Sequence, residues 1–315
     1  MKTDGVCRWP KMLQKGDCVG LCAPSGAVSR DALIGAVQAL EGFGLRVMVG
    51  ESCLRRHGYL AGEDTVRAAD VNRFAVDNDI KGIFAVRGGF GAQKILPLLD
   101  WEAIRCGGKP FVGYSDATAI HLAIQQRCGL VSYHAPMPAT ELRFGMDGFS
   151  RVSYERCLFE DMTGEICNPK GSRLAALSEG ICEGVLTGGN LAILASSLGT
   201  PYALDARGKV LFIEEIGEAP YRVDRMLTQL ALAGAFEGCV GVLLGRFTDC
   251  EAREADAVLK GFALDAVLAE CFSGMGKPVV CGIACGHGLP SLSLPMGARL
   301  RVAASKNLCE IEVLR

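Results

Sequence analysis

The first half of the chain alternates short apolar segments with stretches of helical periodicity, and this alternation restricts the fold more than any other feature. Segments 18–23, 82–86 and 110–114 are apolar and short enough to be buried strands. Segments 30–41 and 63–78 instead place apolar residues at helical spacing. Such alternation is typical of right-handed β-α-β units, which build a mostly parallel sheet. The pattern predicts an α/β chain with an N-terminal, doubly wound parallel-sheet domain.

The rhythm breaks near the middle of the chain. Residues 141–178 mix proline, glycine and charges without a long periodicity, which favours a connection between domains. Strand and helix patterns then resume, including a predicted helix over 255–271, and the tail is strand-rich with a predicted hairpin turn at 295–297. We therefore expect a first domain over 1–140 and a second α/β domain with a strand-rich C-terminal part over 179–315, which fits about two domains for this length.

The composition excludes several classes of protein. A net charge of -2 gives no electrostatic footprint for nucleic acid, so no nucleic-acid partner is expected. No apolar run approaches the roughly 20 residues that span a bilayer, so no membrane partner is expected. The first residues carry charges without an apolar core typical of a secretory signal, and we expect a cytoplasmic protein.

The cysteines and glycines do not predict a metal or a nucleotide cofactor. The 15 cysteines are odd in number and dispersed, unlike a disulfide framework. Cys281, Cys285 and His287 lie close in sequence, but no second ligand pair lies nearby, so we expect no metal site. The glycine-rich stretch 88–91 departs from the dinucleotide-binding spacing, because Lys94 replaces its last glycine. We therefore expect no cofactor.

A serine lies where an apolar strand runs directly into a helix. Ser115 stands between the predicted strand 110–114 and the predicted helix 117–126, and the small residues Gly113 and Ala117 flank it. This is the context of a nucleophile elbow, in which a sharp turn exposes the serine hydroxyl. The local sequence equally allows Ser115 to be only the N-cap of the helix.

A serine nucleophile needs a base and an acceptor that orients the base. His287 is the candidate base, because flanking glycines let its loop approach a neighbouring group closely; His121 is expected to pack against the sheet. Glu214 and Glu215 end the apolar segment 209–213, and strand alternation sends them to opposite faces without showing which one orients the histidine.

The backbone can supply a further part of such a site. The amide N–H groups of Gly89, in the glycine-rich loop, and of Asp116, directly after Ser115, are the candidate donors of an oxyanion hole. A plain turn at Gly89, with positive φ, is compatible with this role.

Taken in order, these strings resemble the LD-carboxypeptidase family of serine peptidases, which includes murein tetrapeptide carboxypeptidases and microcin C immunity peptidases. The matching strings are Ala23-Pro24-Ser25, Arg87-Gly88-Gly89-Phe90-Gly91, Gly113-Tyr114-Ser115-Asp116, Gly188-Gly189-Asn190-Leu191, Phe212-Ile213-Glu214 with Tyr221 and Asp224-Arg225, Gly245-Arg246-Phe247, and Gly286-His287-Gly288. They span nearly the whole chain.

The resemblance implies a Ser-His-Glu triad of Ser115, His287 and Glu214, with the serine on the first domain, the other two on the second, and the site at their junction. It also implies a homodimer and a cytoplasmic role in recycling murein fragments. The expected reaction is hydrolysis of an L,D-amide bond that releases a C-terminal D-amino acid, D-alanine, from a murein tetrapeptide. Whether lysine or diaminopimelate precedes that residue stays open.

A carboxypeptidase must also recognise the terminal carboxylate, which a fixed cation or the amides of a helix N-terminus can bind. The candidates are Arg87, Arg246 and the helix start at Asn190. Three alternatives remain: a microcin C immunity-type peptidase that cleaves peptidyl or aminoacyl-nucleotide amides, an esterase of the α/β-hydrolase type, and a non-catalytic α/β binding protein in which Ser115 only donates a hydrogen bond.

Overall fold

The computed structural model describes residues 7–251 and 262–315. The predicted helix over 255–271 therefore lies partly outside the described residues, and only its C-terminal part can be compared with the structure. In the described ranges, no helix combines the length and the apolar character needed to cross a bilayer.

The described residues form two compact units. Unit 1 contains the residues up to Met162 together with Leu289–Gly297, and unit 2 contains those of Thr163–Gly288 and Ala298–Arg315. A short segment near the C-terminus thus belongs to the unit built mainly from the first half of the chain.

The strands and helices are numbered here in chain order. The strands are β1 (Cys18–Cys22), β2 (Arg46–Val49), β3 (Ile80–Ala85), β4 (Phe111–Gly113), β5 (Ser132–His134), β6 (Gly164–Glu165), β7 (Ala175–Ser178), β8 (Gly180–Asn190), β9 (Lys209–Ile216), β10 (Gly241–Thr248), β11 (Val279–Cys281), β12 (Leu294–Met296), β13 (Arg299–Ala304) and β14 (Cys309–Val313). The α-helices are α1 (Arg30–Glu41), α2 (Asp64–Val76), α3 (Ala92–Ile95), α4 (Trp101–Gly107), α5 (Thr118–Ala123), α6 (Gly148–Phe159), α7 (Leu191–Ser197), α8 (Pro220–Leu232), α9 (Ala235–Gly238) and α10 (Leu264–Phe272). Short 3-10 helices span Glu51–Leu54, Leu96–Leu98 and Ser115–Ala117, and π-helical turns span Ile124–Cys128 and Pro138–Leu142.

Unit 1 is built on a six-stranded sheet in the order β12-β5-β4-β3-β1-β2. All neighbours pair in parallel except β12, which runs antiparallel to β5. The chain moves from β1 outward to β2 and then back across to β3, so the strand order reverses between β1 and β3. In open α/β sheets, ligands bind at the carboxyl ends of the strands beside such a reversal. The parallel sheet confirms the predicted α/β class.

Two local expectations differ from the structure. The stretch 141–178, interpreted as a connection, contains α6, whose N-terminus is capped by the side chain of Asp147 accepting from the amides of Phe149 and Ser150. The sequence of α6 has little apolar periodicity, since the apolar Val152 lies on its exposed side. The predicted hairpin at 295–297 is wrong, because β12 and the following strand β13 belong to different sheets.

Unit 2 contains an eight-stranded sheet in the order β6-β14-β13-β8-β9-β10-β11-β7. Its centre, β8-β9-β10-β11, is parallel, and antiparallel strands flank it on both sides. Glu214 and Glu215 lie near the C-terminal end of β9, and His287 lies in the loop after β11. The sheet thus brings the candidate base and its candidate acceptors to one edge.

His121 supports the end of β4 as a buried, neutral side chain. Its ring Nε2 lies 2.8 Å from the carbonyl oxygen of Gly113, and its Nδ1 lies 2.7 Å from Oγ of Ser132. Because a carbonyl only accepts, Nε2 carries the proton and donates, and the serine hydroxyl donates to Nδ1. Burial lowers the pKa of His121 to about 4.

This lowered pKa predicts a loss of stability in mild acid. The unfolded chain binds the proton of His121 near pH 6.5 and the folded chain only near pH 4, so the stabilisation is complete above pH 6.5 and declines as the pH falls toward 4. Between pH 7 and pH 4.5 the contribution of this one group is about 2–3 kcal/mol. Urea unfolding of the wild type and of His121→Gln at both pH values measures it. The exposed His57→Gln serves as the control and should keep the wild-type dependence; a His121→Gln protein that also keeps it contradicts the assignment.

Candidate active site

Ser115 occupies a strained turn at the carboxyl end of β4. Its φ is +63°, and only one other non-glycine residue in the described ranges, Asp249, has a positive φ. A Cβ is unfavourable in this left-handed region, so such a serine usually marks a functional turn. The following residues form the 3-10 helix that leads into α5. The structure thus contains the strand–turn–helix expected of a nucleophile elbow.

The glycine-rich loop after β3 passes directly against this serine. A Cβ on Gly88 would lie 3.0 Å from Oγ and Cβ of Ser115, and the carbonyl of Gly88 accepts from the amide of Gly26 at 3.2 Å. Gly89, with φ +117°, continues the loop in a conformation that side chains rarely adopt. Neither the amide of Gly89 nor that of Asp116 donates a hydrogen bond to another residue in the described ranges. Two candidate oxyanion donors are therefore available beside the serine.

Two buried charged side chains connect the loops around the elbow. Oδ2 of Asp116 accepts from the hydroxyl of Ser25 at 2.5 Å and from the amide of Ala92 at 2.8 Å. The guanidinium of Arg67 donates to the carbonyls of Pro24 and Gly91, the latter at 2.8 Å. Together they link the loop after β1, the glycine-rich loop and the elbow.

The electrostatics of this network explain its arrangement. Burial raises the pKa of Asp116, while the hydrogen bonds from Ser25 and Ala92 and the charge of Arg67 oppose the rise.

The sequence analysis did not identify Arg67. The signal was present, because Arg67 lies on the same face of α2 as the buried Val71 and Phe74.

In unit 2, Glu214 and His287 form a hydrogen-bonded pair. Nδ1 of His287 lies 2.8 Å from Oε2 of Glu214, whose side chain is completely buried, whereas the histidine side chain is 15% exposed. A Cβ on Gly286, with φ +124°, would lie 3.0 Å from the same Oε2, so a glycine is needed for this approach. The hydroxyl of Thr248 donates to the carbonyl of His287 at 2.6 Å and anchors the loop. The carboxylate holds the proton on Nδ1 and leaves Nε2 as the acceptor.

Glu215 points to the other face of the strand and has a different environment. It accepts from the amides of Ala192 at 2.7 Å and Ile216 at 2.8 Å, and from the side-chain amide of Asn190 at 2.9 Å. Burial raises its pKa, and these three donors oppose the rise. The alternation left the two glutamates unresolved; the structure puts Glu214 against the histidine and Glu215 against the start of α7.

The candidate carboxylate-binding residues lie in different settings. Asn190 caps α7, with Oδ1 accepting from the amide of Ile193, so the first donors of this helix are already engaged. Arg246 follows the buried part of β10, and its amide donates to the carbonyl of Cys285 at 2.8 Å. Arg87 is exposed, and its Nη1 donates to the carbonyl of Ala27 at 3.2 Å. The two arginines are therefore the stronger candidates.

No group of three His, Cys, Asp or Glu side chains within the described ranges is arranged to hold a metal ion. Burial raises the pKa of the Cys285 thiol well above its usual value, which disfavours the thiolate form that ligates metals.

Two family models match the chain. One is described as the LD-carboxypeptidase N-terminal domain and matches residues 19–135; the other is described as the LD-carboxypeptidase C-terminal domain and matches residues 183–302. The first range contains Ser115, and the second contains Glu214 and His287.

Individual proteins match over nearly the whole chain. The chain is 39% identical over 306 residues to the probable murein peptide carboxypeptidase of Bacillus subtilis, which covers 96% of this chain and 94% of that protein. The crystal structure of muramoyltetrapeptide carboxypeptidase from Oxalobacter formigenes matches with a TM-score of 0.83 and 29% identity, over 95% of this chain and 99% of that one. The structure of MccF in complex with glutamyl sulfamoyl guanosine matches with a TM-score of 0.86 and 24% identity, over 98% and 99%, which indicates a shared fold alone.

The contact between Gly88 and Ser115 generates a prediction. In Gly88→Ala the added methyl would lie 3.0 Å from the serine hydroxyl, so the serine or the loop must shift. We expect the rate at which a serine-directed phosphonate labels Ser115 to fall by about 10- to 100-fold. Intact mass spectrometry over time measures the adduct, and Ser115→Ala should give none. Gly148→Ala is the matched control, because an added Cβ there meets no atom within 4 Å. Labelling of Gly88→Ala at the wild-type rate would show that the loop does not confine the serine.

Proposed function

This chain belongs to the LD-carboxypeptidase family, and from that premise we propose that it is a serine carboxypeptidase that hydrolyses the L,D-amide bond of murein tetrapeptides and releases the C-terminal D-alanine. The observation that carries the proposal is the hydroxyl of Ser115 on a left-handed strand–helix turn, in a chain related to this family over nearly its full length. Strained turns also occur at ligand clamps, so it is the family relation that favours an enzyme over a binding protein.

In the proposed mechanism Ser115 is the nucleophile, His287 the base and Glu214 the residue that orients the base. The proton of the serine hydroxyl moves to Nε2 of His287 as Oγ attacks the scissile carbonyl. The imidazolium then gives this proton to the leaving amino group of D-alanine. Water hydrolyses the acyl-enzyme with the same histidine as base. The buried carboxylate of Glu214 stabilises the imidazolium in each half of the reaction.

The proposed oxyanion hole consists of the amides of Gly89 and Asp116. Both N–H groups lie in segments that surround Ser115, and neither is engaged with another residue in the described part of the chain. Preorganised amides of this kind are worth about 10²–10³ in kcat each. Asp116 would thus act through its amide, while its buried side chain positions the loops.

Family membership supports two further parts of the proposal. The first is assembly into a homodimer, and the second is a cytoplasmic role in recycling murein fragments. The proposed assignment of the serine to one domain, with histidine and glutamate on the other, agrees with the ranges that the two family models match.

The proposed triad predicts severe and non-additive losses. Ser115→Ala and His287→Ala should each lower kcat by about 10⁴-fold or more, and the double variant should lose no more than either single one, because the residues act as a unit. Steady-state hydrolysis of a murein tetrapeptide gives kcat, and thermal unfolding shows whether each variant is folded. Losses that multiply in the double variant would separate the two residues into independent roles.

The neighbouring glutamates provide a matched pair of variants. Glu214→Gln should lower kcat by about 10³- to 10⁴-fold, because an amide no longer fixes the histidine tautomer or stabilises the imidazolium. Glu215→Gln makes the same chemical change one residue away and should keep kcat within a few-fold. The reverse result would transfer the orienting role to Glu215.

The substrate class is tested at the terminal carboxylate. A murein tetrapeptide with a free C-terminus should be cleaved about 10- to 100-fold faster than the same peptide amidated there, because the charged contact is lost while the scissile bond is unchanged. Replacing the arginine that binds the carboxylate should make the two rates equal, so Arg87→Gln and Arg246→Gln are compared to identify it. If the wild-type protein cleaved the free and the amidated peptide at equal rates, a carboxypeptidase would be excluded. If it cleaved an aminoacyl nucleotide and neither peptide, the microcin-type alternative would be favoured.

A further inference from the structure

Unit 1 contains a cavity of about 670 Å³ of which the proposed function uses, at most, the side chain of Arg87. Its lining includes residues at and before the start of α1 and others from the segment 139–144. Three arginines are among the lining residues: Arg56, Arg87 and Arg143. Ligand sites in proteins typically have volumes of roughly 300–1,000 Å³, so this cavity can hold much more than one terminal amino acid.

Two residues that line the cavity connect it to the immediate neighbours of the candidate nucleophile. Arg87 directly precedes Gly88, the residue whose Cβ would meet the hydroxyl of Ser115. Glu141, on another wall, accepts a hydrogen bond at 2.6 Å from the hydroxyl of Tyr114, the residue directly before Ser115. A substrate held at the serine can therefore extend into the cavity.

Among the described residues, the positive charge of this cavity has no ion-pair partner. None of its three guanidinium groups forms an ion pair with a carboxylate in the described part of the chain. Other arginines of unit 1 do form such pairs: Arg55 with Glu51, Arg67 with Asp64, Arg73 with Asp70, Arg105 with Glu102 and Arg151 with Glu155. The carboxylate of Glu141 accepts from neutral groups, the hydroxyls of Tyr114 and Thr140 and the amide of Met137. Three cations thus face one engaged carboxylate.

The side chain of Arg143 is positioned by the ring of Phe144 and by the surface of α1. Its guanidinium carbon lies 4.1 Å from the ring centre of the exposed Phe144, and its buried Nε has no hydrogen-bond partner among the described residues. Its stem passes over Gly35 in the middle of α1, where an added Cβ would lie 3.2 Å from Cβ of Arg143. Glycine inside a helix costs about 1 kcal/mol relative to alanine. Glycine at position 35 therefore leaves room for the side chain of Arg143.

We propose that this cavity is a binding site for a second anionic group of the substrate, apart from the terminal carboxylate, and that Arg143 and Arg56 bind its oxygens. The proposal rests on the proposed function, since the occupant is the rest of the peptide whose end is cleaved at Ser115. Planar guanidinium groups bind carboxylate and phosphate oxygens through paired charged hydrogen bonds. The group is therefore either a side carboxylate of the murein peptide or the phosphates of a nucleotide-linked form.

Binding to the full-length Ser115→Ala protein tests the site without turnover. The calorimetric probes are a murein tetrapeptide, the same peptide with its D-glutamyl carboxylate amidated and its terminus free, and uridine diphosphate. Adding Arg143→Gln should weaken binding of the free tetrapeptide by about 10- to 100-fold and leave binding of the amidated peptide unchanged. A loss confined to uridine diphosphate supports the site and identifies phosphate as the occupant. Equal affinities with and without Arg143→Gln for both anionic probes, or no binding of either probe to the parent, overturns the proposal.

Two further variants separate binding from folding. Arg127→Gln makes the same change at an exposed arginine that does not line the cavity, and should leave every affinity unchanged. Gly35→Ala should weaken the affected probe by displacing Arg143 while the melting temperature stays the same or rises, because alanine is the better helix former. A Gly35→Ala protein with parental affinity would contradict the role of Arg143. Failure of the proposed function would appear separately, as wild-type protein that binds the tetrapeptide without cleaving it.

Discussion

The left-handed backbone of Ser115 is the conformation on which the structure around it depends. A residue with a Cβ costs roughly 1–2 kcal/mol in this region, and neighbours must hold it there. Gly113 allows it, since a Cβ at that position would lie 2.9 Å from Cβ of Ala85 and 3.2 Å from that of Ala117. Gly88 allows the adjacent loop to press against the hydroxyl. The small residues of this region are thus consequences of one strained turn at the end of β4.

Holding that turn requires more than small residues, and the buried charges of Arg67 and Asp116 supply the rest. A buried charge is unfavourable unless it is paired and hydrogen-bonded, so each such group keeps its partners in fixed positions. Arg67 donates to backbone carbonyls in the loops after β1 and β3. Asp116 accepts from the hydroxyl of Ser25, after β1, and from the amide of Ala92, where the segment after β3 enters α3. Those loops lie where the strand order reverses. The loops beside this reversal of strand order are therefore connected to each other by buried hydrogen bonds.

Much of this could be predicted from the sequence, because strand–helix alternation and the context of Ser115 are local patterns. What escaped prediction depends on long-range partners. Periodicity cannot show that β12 leaves its neighbour in sequence to pair with β5, nor that an arginine on the buried face of α2 finds its acceptors in two distant loops. Alternation likewise separates Glu214 from Glu215 without saying which face meets the histidine. The cavity arginines have no sequence signature, since only the fold shows that they form no ion pair with a carboxylate of the described residues.

The contrast between those glutamates shows how one strand of unit 2 gives two adjacent carboxylates different environments. The carboxylate of Glu215 accepts hydrogen bonds from three N–H donors, so its negative charge is already compensated. Glu214 is equally buried, but its Oε1 has no hydrogen-bond partner among the described residues and its Oε2 accepts from His287. A buried carboxylate with so few partners is stabilised strongly when the neighbouring imidazole becomes positive, because the low dielectric magnifies their attraction. The same strand thus holds one carboxylate with three hydrogen-bond donors and pairs the other with an imidazole, an arrangement that the proposed triad requires.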